Sequence, residues 1–194
     1  TTTYDPGTLL YNTTYYWKVV PYNAFGDASN APVWTFSTVT SSQLAESFEA
    51  PSFPPVSWSM DYGYVWENGS FYHGARSARR YTTSTPVKLI TPLLSVTSGS
   101  KLEFFAGTAS STYQRIQIMY SSDKTNWSNL GTAFSVIPGS WNRYEADLNS
   151  LAGNNYYLAF GTYYADGGAT AYVYIDHVIG PQIVPVLPIA ATNP

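Results

Sequence analysis

The stretch "ATAYVYIDHVIG", residues 169–180, decides how this chain is read. Alternation puts Tyr172, Tyr174, Asp176 and Val178 on one face of a strand, and Val173, Ile175, His177 and Ile179 on the other. The strand is hydrophobic, with a single carboxylate set into it. A lone Asp among β-branched and aromatic residues is costly to bury unless something pairs with it. The rest of the sequence has to supply that partner.

Working outward, similar runs recur at short spacing: "VKLITPLLSV" from 87, "KLEFFAGTA" from 101, "RIQIMYSSD" from 115, "WNRYEADL" from 141 and "NYYLAFGTYY" from 155. The breaks between them, "TSGS", "SSDKTN", "PGS", "LAGN" and "ADGGA", are turn chemistry. Residues 50–78 form a loop-rich aromatic stretch. Many short strands with turn signals and no helical period predict an antiparallel sandwich. Composition agrees: 18 Tyr, 9 Phe and 6 Trp against 11% charged residues suit pleated surfaces rather than helices.

Charge and cysteine exclude several functions. The net charge is −3, and the 9 Lys and Arg never form a run, which leaves no footprint for nucleic acid or an anionic membrane. Nothing approaches 18 consecutive apolar residues, so no membrane insertion is expected. "TTTYDPGTLL" is not a signal peptide, so any export signal is expected outside this chain. With no cysteine there are no disulfides, thiolate metal sites or Cys nucleophiles. The excess of Tyr, Thr, Ser and Asn predicts a secreted or cell-surface location.

At the N-terminal end, "YYWKVVPYN" (15–23) alternates, "NAFGDASN" turns, and "PVWTFSTVT" (32–40) gives a second strand. Together with "YDPGTLLYNTT" before them, these residues resemble the last three strands of a bacterial fibronectin type III domain. The resemblance gives Tyr15 the tyrosine-corner role. Three strands cannot bury both faces of a sandwich, so the Tyr15, Trp17 and Val19 side needs a cover. "PQIVPVLPIAATNP" (181–194) resembles the segment that opens such domains. Either the chain is one period cut from a longer array, or "IVPVLPIAA" is donated to a neighbouring subunit by strand addition.

The ordered set "ESFE" (46–49), "FPPVSW" (53–58), Trp66, "HGARSA" (73–78), "LITPLLSV" (89–96), "YSSDKTNW" (120–127), Trp141 with Tyr144 and "DL" (147–148), "LAF" (158–160) and "YIDHV" (174–178) resembles a further family. It is similar to the cleaved-adhesin or choice-of-anchor J module, a MAM-like jelly roll of bacterial surface proteins and secreted peptidases. The resemblance departs at Ser57, where the family favours Gly, and at His177, where a second Asp is common. It implies a calcium-bearing jelly roll without catalytic machinery. Carried over residue by residue, the calcium ligands would be Glu49, main-chain oxygens near His73 and Ser77, and Asp176. Calcium is a hard cation that takes several oxygens in flexible geometry, and it would offset two carboxylates that otherwise repel. The alternative is that Asp176 faces water or pairs with Arg76, Arg79 or Arg80.

No enzymatic constellation stands out. His73 and His177 lack a Ser-containing elbow or a zinc motif, and Asp61, Glu67, Glu103, Asp147 and Asp166 are scattered where glycosidase chemistry needs two acids across a cleft. Aromatic loops suit glycan binding, because sugar C–H faces stack on exposed rings while nearby carboxylates bond the hydroxyls. The candidates are Asp61, Tyr62 and Tyr64 in "SMDYGYVWENGSFY" (59–72), and Tyr164 with Asp166 in "YADGG" (164–168). Trp58 and Trp66 are expected beneath the loop, and Trp127 is expected to anchor a hairpin. Asn12, Asn68 and Asn126 open N-x-Ser/Thr sequons, to which no role is given.

The expected fold is therefore all-β: an antiparallel jelly-roll β-sandwich at 46–181, preceded by a partial fibronectin type III-like sheet at 1–40 and a linker at 41–45. Residues 182–194 are expected to be a linker and the first strand of a following or complementing domain. The expected function is non-catalytic adhesion or surface building by a calcium-stabilised extracellular module. A carbohydrate-binding module, a strand-donating filament subunit and an accessory domain of a secreted peptidase are the alternatives. Expected partners are a glycan, a host or matrix protein, or further copies of the chain.

Overall fold

The structure is a computed structural model that describes residues 6, 13–37, 43–109, 113–165 and 167–185. The chain divides into two compact units, Thr1–Ser42 with Pro185–Pro194, and Gln43–Val184.

In the smaller unit, β1 (Thr14–Trp17), β2 (Tyr22–Asn23), β3 (Gly26–Asp27) and β4 (Trp34–Ser37) follow the expected strand–turn–strand order. β1 pairs antiparallel with β4, setting Tyr15 opposite Phe36 and Trp17 opposite Trp34. Cross-strand ring pairs hold them together: Trp17 and Trp34 stack at 4.8 Å, Tyr15 and Phe36 at 5.6 Å. Gly26, at φ +117°, makes the tight β2–β3 turn possible. The loop that a tyrosine corner would tie to Tyr15 and most of the donated-strand segment lie outside the described residues.

The larger unit contains β5 (Gln43–Glu46), β6 (Ser59–Met60), β7 (Tyr64–Glu67), β8 (Ser77–Tyr81), β9 (Val87–Val96), β10 (Lys101–Thr108), β11 (Gln114–Ser121), β12 (Ser128–Asn129), β13 (Phe134–Ser135), β14 (Asn142–Asp147), β15 (Asn154–Tyr164) and β16 (Tyr172–Ile183). All pair antiparallel. One layer is built from β6, β9, β15 and β11, edged by β12 and β13. The other runs β7, β8, β16, β10, β14. β9 and β16 meet only at Ser95–Gln182 and Leu94–Ile183, where the sheet turns over from one layer into the other. The all-β sandwich expected from the sequence is the one that forms. Gln43–Ala45, expected as linker, instead pair with the end of β16.

Alternation explains the core. β10 buries Leu102, Phe104 and Ala106 and turns Glu103 and Phe105 away; β15 buries Leu158 and Phe160. Across the layers Phe104 meets Phe160 edge-to-face at 5.0 Å, an arrangement worth about 1 kcal/mol beyond the area it buries.

β16 departs from its expected alternation. Phe105 faces Asp176, but Glu103 faces Ile179, so β16 carries one extra residue there, and His177 sits at φ +47°. This is a β-bulge, and a bulge flips the phase of every residue after it. Val173 and Ile175 are core residues before it, and Val178 and Gly180 after it. Val178 therefore leaves the face it was expected to share with Asp176. At Gly180 a Cβ would lie 3.0 Å from Leu44 Cδ2 and 3.2 Å from Leu102 Cδ1, so β5 and β10 close over a strand with no side chain there.

Truncating Phe104 to Ala is expected to cost about 3–5 kcal/mol in urea unfolding. Val56→Ala, at an 84% exposed position, should stay within about 0.5 kcal/mol. Equal losses would mean that the ring contact between the layers is not part of the core.

Candidate functional site

Asp176 is fully buried beside the bulge, on the outer side of the second layer. What covers it is the turn 70–76. The Asp176 Oδ2 accepts the main-chain N–H groups of Tyr72 and His73, each at 2.8 Å, and Oδ1 accepts that of His177 at 2.6 Å. Glu49 grips the same turn from the other side, its Oε1 accepting N–H groups from Ala75 at 2.9 Å and Arg76 at 2.8 Å. Gly74, at φ +76°, is required between them, because a Cβ there would lie 2.5 Å from Glu49 Oε1. This explains "HGARS" in physical terms. Ser77 closes the turn by donating its hydroxyl to the Ser70 carbonyl at 2.6 Å.

A third carboxylate, Glu46, joins the group; sequence reasoning had not singled it out. Burial pushes Glu46 above the usual carboxylate range, and the charges of Asp176 and Glu49 push the same way. Asp176 is also raised, first by burial, with Glu49 repelling it, while its main-chain hydrogen bonds partly oppose the shift. None of the five ion pairs between described side chains involves these three acids, so Asp176 does not pair with Arg79 or Arg80. Among the described residues no three acidic or histidine side chains converge closely enough to form a metal cluster by themselves. The groups turned toward Glu49 and Asp176 are N–H donors, not the carbonyls expected near His73 and Ser77. The donor chemistry still suits a hard cation: acidic oxygens only, from a buried Asp176, a half-buried Glu46 and an exposed Glu49 that repel one another.

The ligand candidates separate. Asp61 is exposed and ion-paired to Lys88 at 2.7 Å, and Lys88 lies over the Trp127 ring. Tyr62 is 59% exposed, with the Arg80 guanidinium 5.1 Å from its ring. Tyr64 is buried, with its hydroxyl bonded to Thr162 Oγ1 at 2.9 Å and to the carbonyls of Phe160 and Val87. It is a core residue, not the ligand contact expected of it. Burial also pushes its ionisation well above the normal range. Tyr164 is half-buried at the end of β15, where its N–H donates to Thr83. Asp166 and the Trp66 side chain lie outside the described residues. Trp58 is buried against Phe48 and Phe160, and Trp127 anchors its hairpin through an Nε1–H donated to the Lys124 carbonyl.

A further aromatic surface is one the sequence did not assemble. On the outer face of the second layer, Tyr81 and Tyr172 lie 4.9 Å apart, Tyr172 and Tyr174 6.4 Å, Tyr174 and Trp141 6.2 Å, and Trp141 and Tyr72 6.4 Å. Tyr72 then stacks flat on Phe105 at 3.5 Å. The main chain just before Trp141 lies close to β10, where a Cβ at Gly107 would stand 3.1 Å from the Ser140 carbonyl oxygen. The Arg79 guanidinium sits 4.5 Å over Tyr172 and pairs with Glu67 at 2.5 Å. Tyr72, Tyr81 and Tyr172 are each at least 40% exposed. Such a band offers apolar ring faces with donors and acceptors along its edge.

No family model matches the sequence, and no curated protein matches it as a relative. Solved structures do resemble it. The K2 cleaved adhesin domain of Lys-gingipain matches with a TM-score of 0.56 at 15% identity, over 72% of this chain and 98% of that one. The K1 domain of Lys-gingipain from Porphyromonas gingivalis W83 matches at 0.53 and 21%, over 72% and 97%. The CBM22-1 xylan-binding domain of Paenibacillus barcinonensis Xyn10C matches at 0.53 and 14%, over 74% and 95%. At these identities the likeness is one of fold.

The raised ionisation of Asp176 fixes a sign. A carboxyl raised in the folded state stabilises the fold when protonated, and that contribution is lost as pH rises through its folded-state value. In chelator, Asp176→Asn should therefore gain stability relative to the native chain as pH rises from about 4 to 7. Thermal melts at both pH values check this, and an Asn variant that instead loses ground toward pH 7 would show that the charge is favourable as it stands.

Proposed function

We propose that the Gln43–Val184 unit is a non-catalytic extracellular adhesion module, of the cleaved-adhesin or choice-of-anchor J kind, that holds polysaccharide against its aromatic band. The observation that carries this is the run of rings from Tyr81 to Phe105 across the second layer. Pyranose C–H faces stack on such rings, and the Arg79–Glu67 pair offers a donor beside an acceptor, as sugar hydroxyls require. Likeness in fold to adhesin domains and to a xylan-binding domain supports the reading. A host or matrix polysaccharide fits this surface better than a basic or acidic protein, because the rings outnumber the charges on it.

Calcium belongs to this proposal as a fastener. Glu49 and Asp176, with Glu46 beside them, would hold it. When bound it would supply the positive charge that offsets the three acids. The turn 70–76 carries Tyr72 into the band, so fastening the turn also shapes the binding face.

Affinity electrophoresis through soluble polysaccharides tests the band. Replacing both Tyr81 and Tyr172 by Ala, at exposed positions, should weaken binding at least about tenfold, roughly 1.4 kcal/mol or more, with little change in melting temperature. Retardation identical to that of the native chain would rule the band out. For the cation, calcium at about 100 times its dissociation constant should add about 2.7 kcal/mol of stability, and Asp176→Asn should abolish that gain. A melting temperature indifferent to both calcium and chelator would remove calcium from the account.

A further inference from the structure

Arg80 is the least explained charge in the larger unit. It projects inward from β8, opposite Val173 and Tyr64, and is only 7% exposed. Its Nη1 donates to the carbonyl of Tyr81, while its Nε is buried with no acceptor. It takes part in none of the five ion pairs between described side chains. Asp61, whose charge reaches the same Tyr64 hydroxyl as that of Arg80, is committed to Lys88 at 2.7 Å. A buried guanidinium normally has a carboxylate for a partner, because an unpaired buried charge is expensive. Folding alone gives no reason to keep this one.

The surroundings show what could complete it. Gly63, at φ +70°, lies directly against the guanidinium, where a Cβ would be 3.1 Å from both Cζ and Nη1. The turn therefore brings bare backbone over the charge, and it carries Tyr62, 59% exposed, with its ring 5.1 Å from Cζ. An exposed ring beside a guanidinium whose Nε lacks an acceptor fits one chemical class well. A pyranose ring stacks on Tyr62, and a carboxylate on that ring takes the guanidinium by charge-assisted hydrogen bonds. Arg80 turns inward from β8 while the neighbouring Tyr81 turns its ring to the outer face, so Arg80 and Tyr62 lie on the other side of β8 from the band.

We propose that Arg80 and Tyr62 form a subsite for a carboxylate-bearing sugar, a uronic or sialic acid residue, at the 61–63 turn. This rests on the saccharide-binding reading above and adds the class of sugar. It also implies that Arg80 is kept for its ligand at some cost to the fold.

Calorimetric titration of the chain with trigalacturonate, sialyllactose, maltotriose and acetate tests it, alongside Arg80→Met and Tyr62→Ala. Binding of trigalacturonate or sialyllactose, weakened at least about tenfold in both variants and falling as salt rises through about 0.15 M, is the expected result. Which of the two acids binds tells uronate from sialate. Arg80→Met should melt no lower than the native chain. Acetate binding as tightly as the acidic sugars would reduce the site to a bare anion site and overturn the proposal, as would full affinity in Tyr62→Ala. A chain that holds neutral polysaccharide on its band but takes up neither acidic sugar overturns this subsite alone. If Arg80→Met fails to fold, the arginine is structural; Tyr62→Ala, altered only at the surface, still decides the binding question.

Discussion

At the bulge of β16 the buried carboxylate of Asp176 accepts the main-chain N–H groups of Tyr72 and His73, and the outer face of the second layer is organised around that contact. The bulge rotates the strand so that Asp176 meets the turn while Val178 returns to the core. The turn, gripped from the other side by Glu49, lays Tyr72 flat on Phe105. Without the two carboxylates, four N–H groups in a loop with no strand partner would be left to water. The question raised by one acid in a hydrophobic strand thus has a local answer: Asp176 is an acceptor for backbone that would otherwise have none.

That answer also explains why the site is electrostatically tense. N–H groups stabilise the ionised carboxylates, but burial and the company of Glu46 and Glu49 oppose them, and for Asp176 and Glu46 the opposing effects win. A cation is the natural remedy, and the same arrangement would tie the opening "ESFE" segment to the final strand. Arg80 has the inverse problem, a buried positive charge lacking a negative one. Both are places where the fold keeps charge that packing alone would discard. A binding module does this when the missing partner comes from solution.

Much of the fold could be read from the sequence because it rests on local alternation. The run 87–96 forms β9 as written, and the turns at "TSGS" and "SSDKTN" fall where Gly, Ser and Asp placed them. The bulge could not be read, since Asp176 and His177 continue the alternation without interruption and only the pairing with Phe105 and Glu103 reveals the extra residue. Tyr64 looked like a loop aromatic because its burial depends on Thr162 and Phe160, nearly 100 residues away. The aromatic band was invisible for the same reason. Its rings come from β8, β10, β16 and two loops, and only their register makes them neighbours. One signal was present: Tyr172 and Tyr174 stand two apart on a strand whose intervening residues are core, so both had to face outward.

The central claim is that Asp176 and Glu49 hold the 70–76 turn through its backbone, and amide hydrogen exchange measures that contact directly. The N–H groups of Tyr72, His73, Ala75 and Arg76 lie in no strand, so only the two carboxylates can slow their exchange. All four should exchange far more slowly than free peptide in the native chain, and Asp176→Ala should release Tyr72 and His73. Exchange of these amides at the rate of an unstructured peptide in the native chain would contradict the account.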